Sequence, residues 1–267
     1  MDKIGLIAGN RKFPLIFAES AKKQGCYIVA VAIKKDTNPQ IKKIADKIYW
    51  LGLDEFSRLF EIFKKEGVSK VVIAGQISPS RLFGKEIGKD PVLKNLLLGM
   101  KNKKADTIFG KIAEKLKEEG LELLDSTIFV GDYLPKKSVL TKFLPSAEVK
   151  EDIEFGFELA KAIGNLDIGQ TVAVKDKAIV AVEAFEGTDN LIRRSGKLAG
   201  KGLTIVKVSK PKQDLRFDIP VIGFNTVKNL VKAHARCLAI EAGKTLFIDK
   251  ERSLQLADRH GISIVAV

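Results

Sequence analysis

The chain carries little sulfur and little histidine: two cysteines, two methionines and two histidines in 267 residues. Cys26 and Cys237 lie far apart in apolar patterns, which excludes a disulfide framework and leaves no cysteine pair at zinc spacing. They read as buried thiols. His234 and His260 lie in helical patterns with no ligand partner at zinc spacing, so both read as structural. No apolar run approaches the length of a membrane span. The opening MDKIGLIAGN lacks the basic start and small-residue cleavage site of a signal peptide, so a cytoplasmic location is expected. Walker A, nucleophile-elbow and Ser-His-Asp signatures are absent. RNP, zinc-finger and helix-turn-helix signatures are absent too, and no nucleic-acid partner is expected. Chemistry in this chain falls to carboxylates, hydroxyls, Lys and Arg. Such oxygen donors suit Mg²⁺ or Mn²⁺ rather than zinc.

What is present is a globular composition, 45% hydrophobic and 30% charged, with a net charge of +13 spread as Lys over helix faces. That excess attracts anions: nucleic acid, an anionic bilayer or a phosphorylated substrate. The first half alternates as βα units. Strands are expected at Lys3–Ala8, Tyr27–Ile33, Lys47–Leu51 and Lys70–Ala74, with helices at Phe13–Gln24, Pro39–Ala45 and Asp54–Lys65. Helices at Pro91–Met100 and Asp106–Glu119 follow, then short strands at Leu121–Leu124 and Thr127–Val130. Gly131–Pro145 has little periodicity and reads as a linker. Beyond it come a helix at Ala147–Ile163 and a hairpin of Gln170–Val174 and Ala178–Glu183 turning at Asp176-Lys177. A helix opens at Thr188–Ser195, and strand Leu203–Val208 and helix Val227–Ala239 come next. Strand Leu246–Asp249, helix Glu251–His260 and strand Ile262–Val267 close the chain. The alternation predicts an α/β protein: a Rossmann-like parallel-sheet domain over 1–130, a linker over 131–145, and an α/β catalytic domain with a mixed sheet over 146–267.

Four stretches suit a ligand. Gly9-Asn10, after the first strand, and Gly75-Gln76, after the fourth, are loops at the carboxyl end of a parallel sheet, where such sheets bind ligands. The dinucleotide fingerprint is incomplete there, which counts against an NAD(P) oxidoreductase. Glu183, Glu186, Gly187, Thr188 and Asp189 form an acid-rich strand end and helix start; the plain reading is a capped helix with a solvated Glu. Lys210 to Thr226 holds Asp214, Arg216 and Asp218. In an extended segment these three side chains face one way and suit a metal and a phosphate, and the plain reading is a salt-bridged surface loop.

Taken together, these stretches resemble the LpxI-type UDP-2,3-diacylglucosamine diphosphatases over nearly the whole chain. The resemblance is carried by GLIAG (Gly5–Gly9) with Pro14, FGFELAKAIGNLDIGQTV (Phe155–Val172), AVEAFEGTDNLIRR (Ala181–Arg194), KPKQDLRFDIPVIG (Lys210–Gly223), and EAGKTLFIDK with a later AD-x-x-GI. It implies a two-domain enzyme, its active-site cleft between the domains, that uses a divalent metal, Mg²⁺ or Mn²⁺, to cleave the diphosphate of UDP-2,3-diacylglucosamine. It also implies that water attacks the sugar-side phosphorus, giving UMP and 2,3-diacylglucosamine 1-phosphate (lipid X) for lipid A synthesis. The family's essential Asp falls on Asp218, in Arg-x-Asp-Ile-Pro. Around it the expected roles are Arg216 and Asp214 as catalytic partners and Glu183, Glu186, Asp189 and Asp218 as metal ligands. Gly9, Asn10, Gly75, Gln76, Gly187, Thr188, Lys210 and Thr226 are the expected substrate contacts. The sequence departs from the family in the GNRKFP loop and at Phe224-Asn225, where Pro and Arg are common, so a different nucleotide-diphosphate substrate stays open. Open too are a non-catalytic nucleotide or phosphosugar sensor, a homodimer, and peripheral contact with the anionic inner face of the membrane.

Overall fold

The computed structural model describes residues 1–77, 81, 87–98 and 105–267. The chain forms two compact units, residues 1–131 with 214–218, and residues 132–213 with 219–267. Among the described residues no helix is long and apolar enough to cross a membrane.

Unit 1 is built on five parallel strands. They are β1 (Lys3–Ala8), β2 (Tyr27–Ile33), β3 (Lys47–Leu51), β4 (Lys70–Ala74) and β5 (Glu122–Leu123), in the order β3-β2-β1-β4-β5. β1, β2 and β4 are almost unbroken runs of apolar residues because helices cover both faces of a parallel sheet. The helices are α1 (Phe13–Lys23), α2 (Arg58–Lys65), α3 (Pro91–Leu97) and α4 (Ala105–Glu118). Pro14 sits in the first turn of α1, where a missing N–H costs nothing, and Gly25 follows its end at φ +83°. Phe17 and Phe63 are fully buried, each contributing about 1.5–3 kcal/mol of burial. The expected helix over 54–65 is divided into a 3-10 turn, Leu53–Glu55, and α2. The strand expected at Thr127–Val130 is instead a turn, closed by Val130 N donating to Thr127 O at 2.9 Å. The end of the helix expected at Pro91–Met100 lies outside the described residues.

Unit 2 holds a six-stranded mixed sheet, β6-β13-β11-β9-β7-β8. Its strands are β6 (Ser138–Val139), β7 (Thr171–Lys175), β8 (Ala178–Val182), β9 (Thr204–Lys207), β11 (Cys237–Ile240) and β13 (Ser263–Ala266). β9, β11 and β13 are mutually parallel, and β6 and β7 run against them. β8 reverses again and so runs with β9. A second pair, β10 (Val221–Ile222) and β12 (Leu246–Phe247), is parallel. Helix α5 (Ala147–Asn165) packs Val149, Ile153 and Ala160 against Val172, Val174 and Val206. On the other face α6 (Thr188–Ala199), α7 (Phe224–Lys232) and α8 (Lys250–Arg259) pack Leu191, Leu230 and Ala257 against Ile205, Leu238 and Ile264. The β7–β8 turn falls on Asp176 and Lys177 as expected; both have positive φ, the geometry that lets a two-residue hairpin follow strand twist.

Two expectations fail in unit 2. Part of the stretch read as linker is structured: β6 pairs with β13, and Leu140 N donates to Ile264 O at 2.8 Å. The single helix expected over 227–239 is two elements. α7 ends at Lys232, His234 takes a left-handed φ of 49°, and β11 begins at Cys237. Through that junction apolar residues alternate with Lys232, His234 and Arg236, a pattern that does not by itself separate the end of a helix from the start of a strand.

Candidate active site

In unit 1 the strand order turns about β1: β2 and β3 lie on one side, β4 and β5 on the other. The gap between the carboxyl ends of β1 and β4 is therefore a topological switch point, the place where open α/β sheets take ligands. The structure brings Gly9, Asn10, Gly75 and Gln76 together there. Gly9 N donates to Ala74 O at 2.8 Å and Asn10 N to Gln76 O at 2.7 Å. The loops approach so closely that a Cβ on Gly9 would stand 2.6 Å from Gln76 O, and one on Gly75 2.5 Å from Asn10 O. Gly75 also has φ +82°. The Gly9 and Asn10 amides are thus committed to joining the loops.

Residues Asp214–Asp218 belong to unit 1 although the sequence around them is unit 2. They are not extended, as a shared face for three side chains required. Leu215–Phe217 form a turn in which Asp218 N donates to Asp214 O at 3.0 Å. Ser126 N and Oγ both donate to Leu215 O, at 3.1 and 2.7 Å. Phe217 stacks on Phe109 with ring centres 5.5 Å apart. Phe109 in turn lines a small hydrocarbon-walled cavity with Phe56, Ile77, Leu93 and Leu97. Arg216 grips Asp214 with two parallel hydrogen bonds, Nε to Oδ1 at 2.9 Å and Nη2 to Oδ2 at 2.6 Å. That pair holds the Asp214 carboxyl below its usual range and the guanidinium above its own. Asp218 is half-buried at the end of the turn.

In unit 2, β8, β9 and β11 end on one sheet edge and deliver Glu183, Lys207 and Glu241 there. Glu183 and Lys207 are both buried. Lys207 Nζ donates to Thr188 Oγ1 at 2.7 Å, and Thr188 Oγ1 donates to Glu183 Oε1 at 2.9 Å. The Thr171 hydroxyl lies 3.3 Å from that of Thr188. Gly187, at φ +80°, caps α6 and aims its first turn at this cluster. Glu241 is held by Lys161 at 2.6 Å, Lys244 at 2.9 Å and Ser209 N at 2.8 Å. Burial alone would raise its pKa; those three donors outweigh it and the shift is downward.

Other expected residues go elsewhere. Glu186 is exposed and pairs with Arg194 at 2.7 Å, which lowers its pKa. Lys210 Nζ donates to Asp167 at 2.7 Å. Thr226 is buried in the first turn of α7. Asp189 is half-buried, and its Oδ1 has no hydrogen-bond partner. Among the described residues no three His, Cys, Asp or Glu side chains gather in a way that would hold a metal. Both cysteines are free and buried, and burial pushes the Cys237 thiol up to about 12, which favours the inert thiol over the thiolate.

Sequence reading missed Lys207, Glu241, Lys161 and Thr171. The one available signal was Lys207 itself, a charge inside the otherwise apolar strand LTIVKV.

Comparison with known proteins covers both halves. Residues 3–133 match the family described as LpxI N-terminal domain, and residues 136–265 the LpxI C-terminal domain. The chain is 29% identical over 280 residues to a Caulobacter vibrioides protein named UDP-2,3-diacylglucosamine pyrophosphatase LpxI, covering 100% of this chain and 98% of that one. Among solved structures it is similar to phosphoribosylglycinamide synthetase from Anaerococcus prevotii, at 14% identity and a TM-score of 0.25. That match covers 75% of this chain and 43% of the other, and its TM-score carries no argument about fold or function.

Proposed function

The chain belongs to the LpxI family, and from that premise we propose that it hydrolyses UDP-2,3-diacylglucosamine to UMP and 2,3-diacylglucosamine 1-phosphate, a step of lipid A synthesis. The observation that carries this is the full-length match, in both domains and in order, to a pyrophosphatase of that name. In the reaction a water oxygen bonds to the sugar-side phosphorus. The bond from that phosphorus to the bridging oxygen breaks, its electron pair leaves with UMP, and the water gives up a proton.

Asp218 is the proposed essential acid. It sits in a turn fixed from both sides, by Ser126 on Leu215 and by Phe109 on Phe217. Arg216 is exposed beside it, paired with Asp214; a phosphate competing for that guanidinium would gain a charge-assisted pair. The switch-point loops at Gly9 and Gly75 are the proposed seat of the uridine or the sugar. An Mg²⁺ or Mn²⁺ ion, when bound, would neutralise phosphate charge. An assay with and without the ion tests that dependence separately from the hydrolysis itself. The net charge of +13 favours an anionic substrate.

The test is release of UMP from UDP-2,3-diacylglucosamine by the full chain and by Asp218→Asn. We expect turnover in the former, and in the variant no turnover with binding retained. Binding without hydrolysis by the unaltered chain would make it a sensor. Near-full activity of Asp218→Asn would remove that residue from the chemistry.

A further inference from the structure

One helix face in unit 2 carries a surplus of positive charge. α6 buries Leu191, Ile192 and Ser195. Asn190, Arg193, Arg194, Lys197 and Leu198, spaced three and four apart, share its outer side. Together with Glu186 they line an open groove of about 670 Å³. Three of these side chains are cations, and Glu186 is the one acid in the lining. Arg194 Nη2 meets Glu186 Oε1 at 2.7 Å, so that acid neutralises one cation and leaves two. Arg193 donates to neutral amides, Asn190 Oδ1 and, at 3.4 Å, Asn229 Oδ1. Neither Arg193 nor Lys197 makes an ion pair among the described residues. The outer face of a surface helix is ordinarily polar. Leu198 departs from that rule, 64% exposed in the groove lining, and Phe185, adjacent to Glu186 in the chain, is 81% exposed. A positive groove with exposed apolar side chains beside it has two complements, anionic oxygens and hydrocarbon. A free phosphate or nucleotide supplies only the first. An anionic phospholipid bilayer supplies both, headgroup phosphates with acyl chains beneath them.

We propose that the outer face of α6 docks on an anionic phospholipid bilayer, with Arg193 and Lys197 on headgroup phosphates and Leu198 and Phe185 at the acyl boundary. The contact deepens the hydrolase reading and rests on it for its purpose. A substrate with two acyl chains resides in a bilayer, and among the described residues no helix is long and apolar enough to cross one. The net charge of +13 draws the chain to such a surface. The docking helix begins at Thr188, which is bonded to Glu183 and Lys207, so one element serves both the bilayer contact and the polar cluster of unit 2.

The experiment is co-sedimentation of the full chain with vesicles of phosphatidylglycerol and phosphatidylcholine, and with vesicles of phosphatidylcholine alone. Each basic residue at an anionic surface corresponds to about a fivefold gain in partitioning. We expect binding to the anionic vesicles that weakens as salt is raised. Lys197→Gln should lower that binding about fivefold, and Arg193→Gln combined with Lys197→Gln about twenty-fivefold. Leu198→Gln should lower it as well. Leu144→Gln, at a position 75% exposed in the loop before α5, should leave it unchanged. A thermal melt checks that each variant folds; where the Arg193 variant does not melt cooperatively, Lys197→Gln and Leu198→Gln carry the test. No binding to anionic vesicles, equal binding to both kinds, or undiminished binding in Lys197→Gln and Leu198→Gln overturns the proposal. Loss of binding in Leu144→Gln alone places the contact elsewhere and also overturns it. UMP release from detergent-dispersed UDP-2,3-diacylglucosamine is measured in parallel. Absent release with Lys197-dependent vesicle binding sinks the hydrolase reading alone, and release without vesicle binding sinks this one alone.

Discussion

Replacing Gly9 by Ala should destabilise unit 1 sharply, while the same change at Gly110 should stabilise it. At Gly9 the new Cβ would stand 2.6 Å from Gln76 O and 2.8 Å from Gln76 N. Both are backbone atoms and cannot rotate away. The loops must separate, which strains the hydrogen bonds Gly9 N to Ala74 O and Asn10 N to Gln76 O. Overpacking costs about 1–3 kcal/mol, and a weakened hydrogen bond about 0.5–1.5 kcal/mol, so the loss should be about 2–4 kcal/mol. Gly110 lies inside α4 with nothing within 4 Å of its would-be Cβ and no positive φ. Alanine there should add about 0.5–1 kcal/mol through helix propensity. Urea unfolding followed by tryptophan fluorescence measures both, because the single tryptophan, Trp50, is in β3 of unit 1. If the two variants shift in the same direction, or if Gly9→Ala stays within about 0.5 kcal/mol of the parent, the close apposition of these loops is wrong.

In unit 2, Asp152→Ala should cost about 3–5 kcal/mol by circular dichroism. Asp152 is 1% exposed and accepts from Lys177 N at 2.8 Å, Thr204 Oγ1 at 3.1 Å and Arg236 Nη2 at 2.7 Å. Asp152→Asn, which keeps an acceptor oxygen, should cost less. On the acid side, Lys34 draws the Glu55 carboxyl down to about 2, and Lys115 does the same for Glu119. A depressed carboxylate contributes stability above its unfolded pKa of about 4.5 and loses it as pH falls toward 2. Denaturation of Glu55→Gln and Glu119→Gln between pH 6 and 2 should therefore show a flatter pH dependence than the parent. The difference should be small and reduced by salt, since both partners are solvent-facing.

Much of the fold was legible because burial leaves a direct trace. β1, β2, β3 and β4 match their expected bounds, since strands flanked by helices read as short apolar runs between Gly and charged turns. The Asp176-Lys177 hairpin was legible for the same local reason. β11 was not: Val231, Ala233 and Ala235, set between Lys232, His234 and Arg236, carry the pattern of α7 on toward it, and a left-handed His234 does the separating. The site was less legible than the fold. Acids two and four residues apart read as one face only if the backbone is extended, and Asp214–Asp218 turns instead. The same short spacing lets Arg216 close on Asp214. Lys207 hid because strand periodicity treats one charge in an apolar run as noise. Only the fold shows that it is buried and facing Thr188.

The central claim is the reaction. Purified full-length chain is mixed with UDP-2,3-diacylglucosamine, with and without Mg²⁺, and UMP is measured against UDP-N-acetylglucosamine as the unacylated control. We expect stoichiometric UMP and 2,3-diacylglucosamine 1-phosphate from the acylated substrate, little from the control, and none from Asp218→Asn. No UMP from the acylated substrate under either metal condition, or equal release from both substrates, would contradict it.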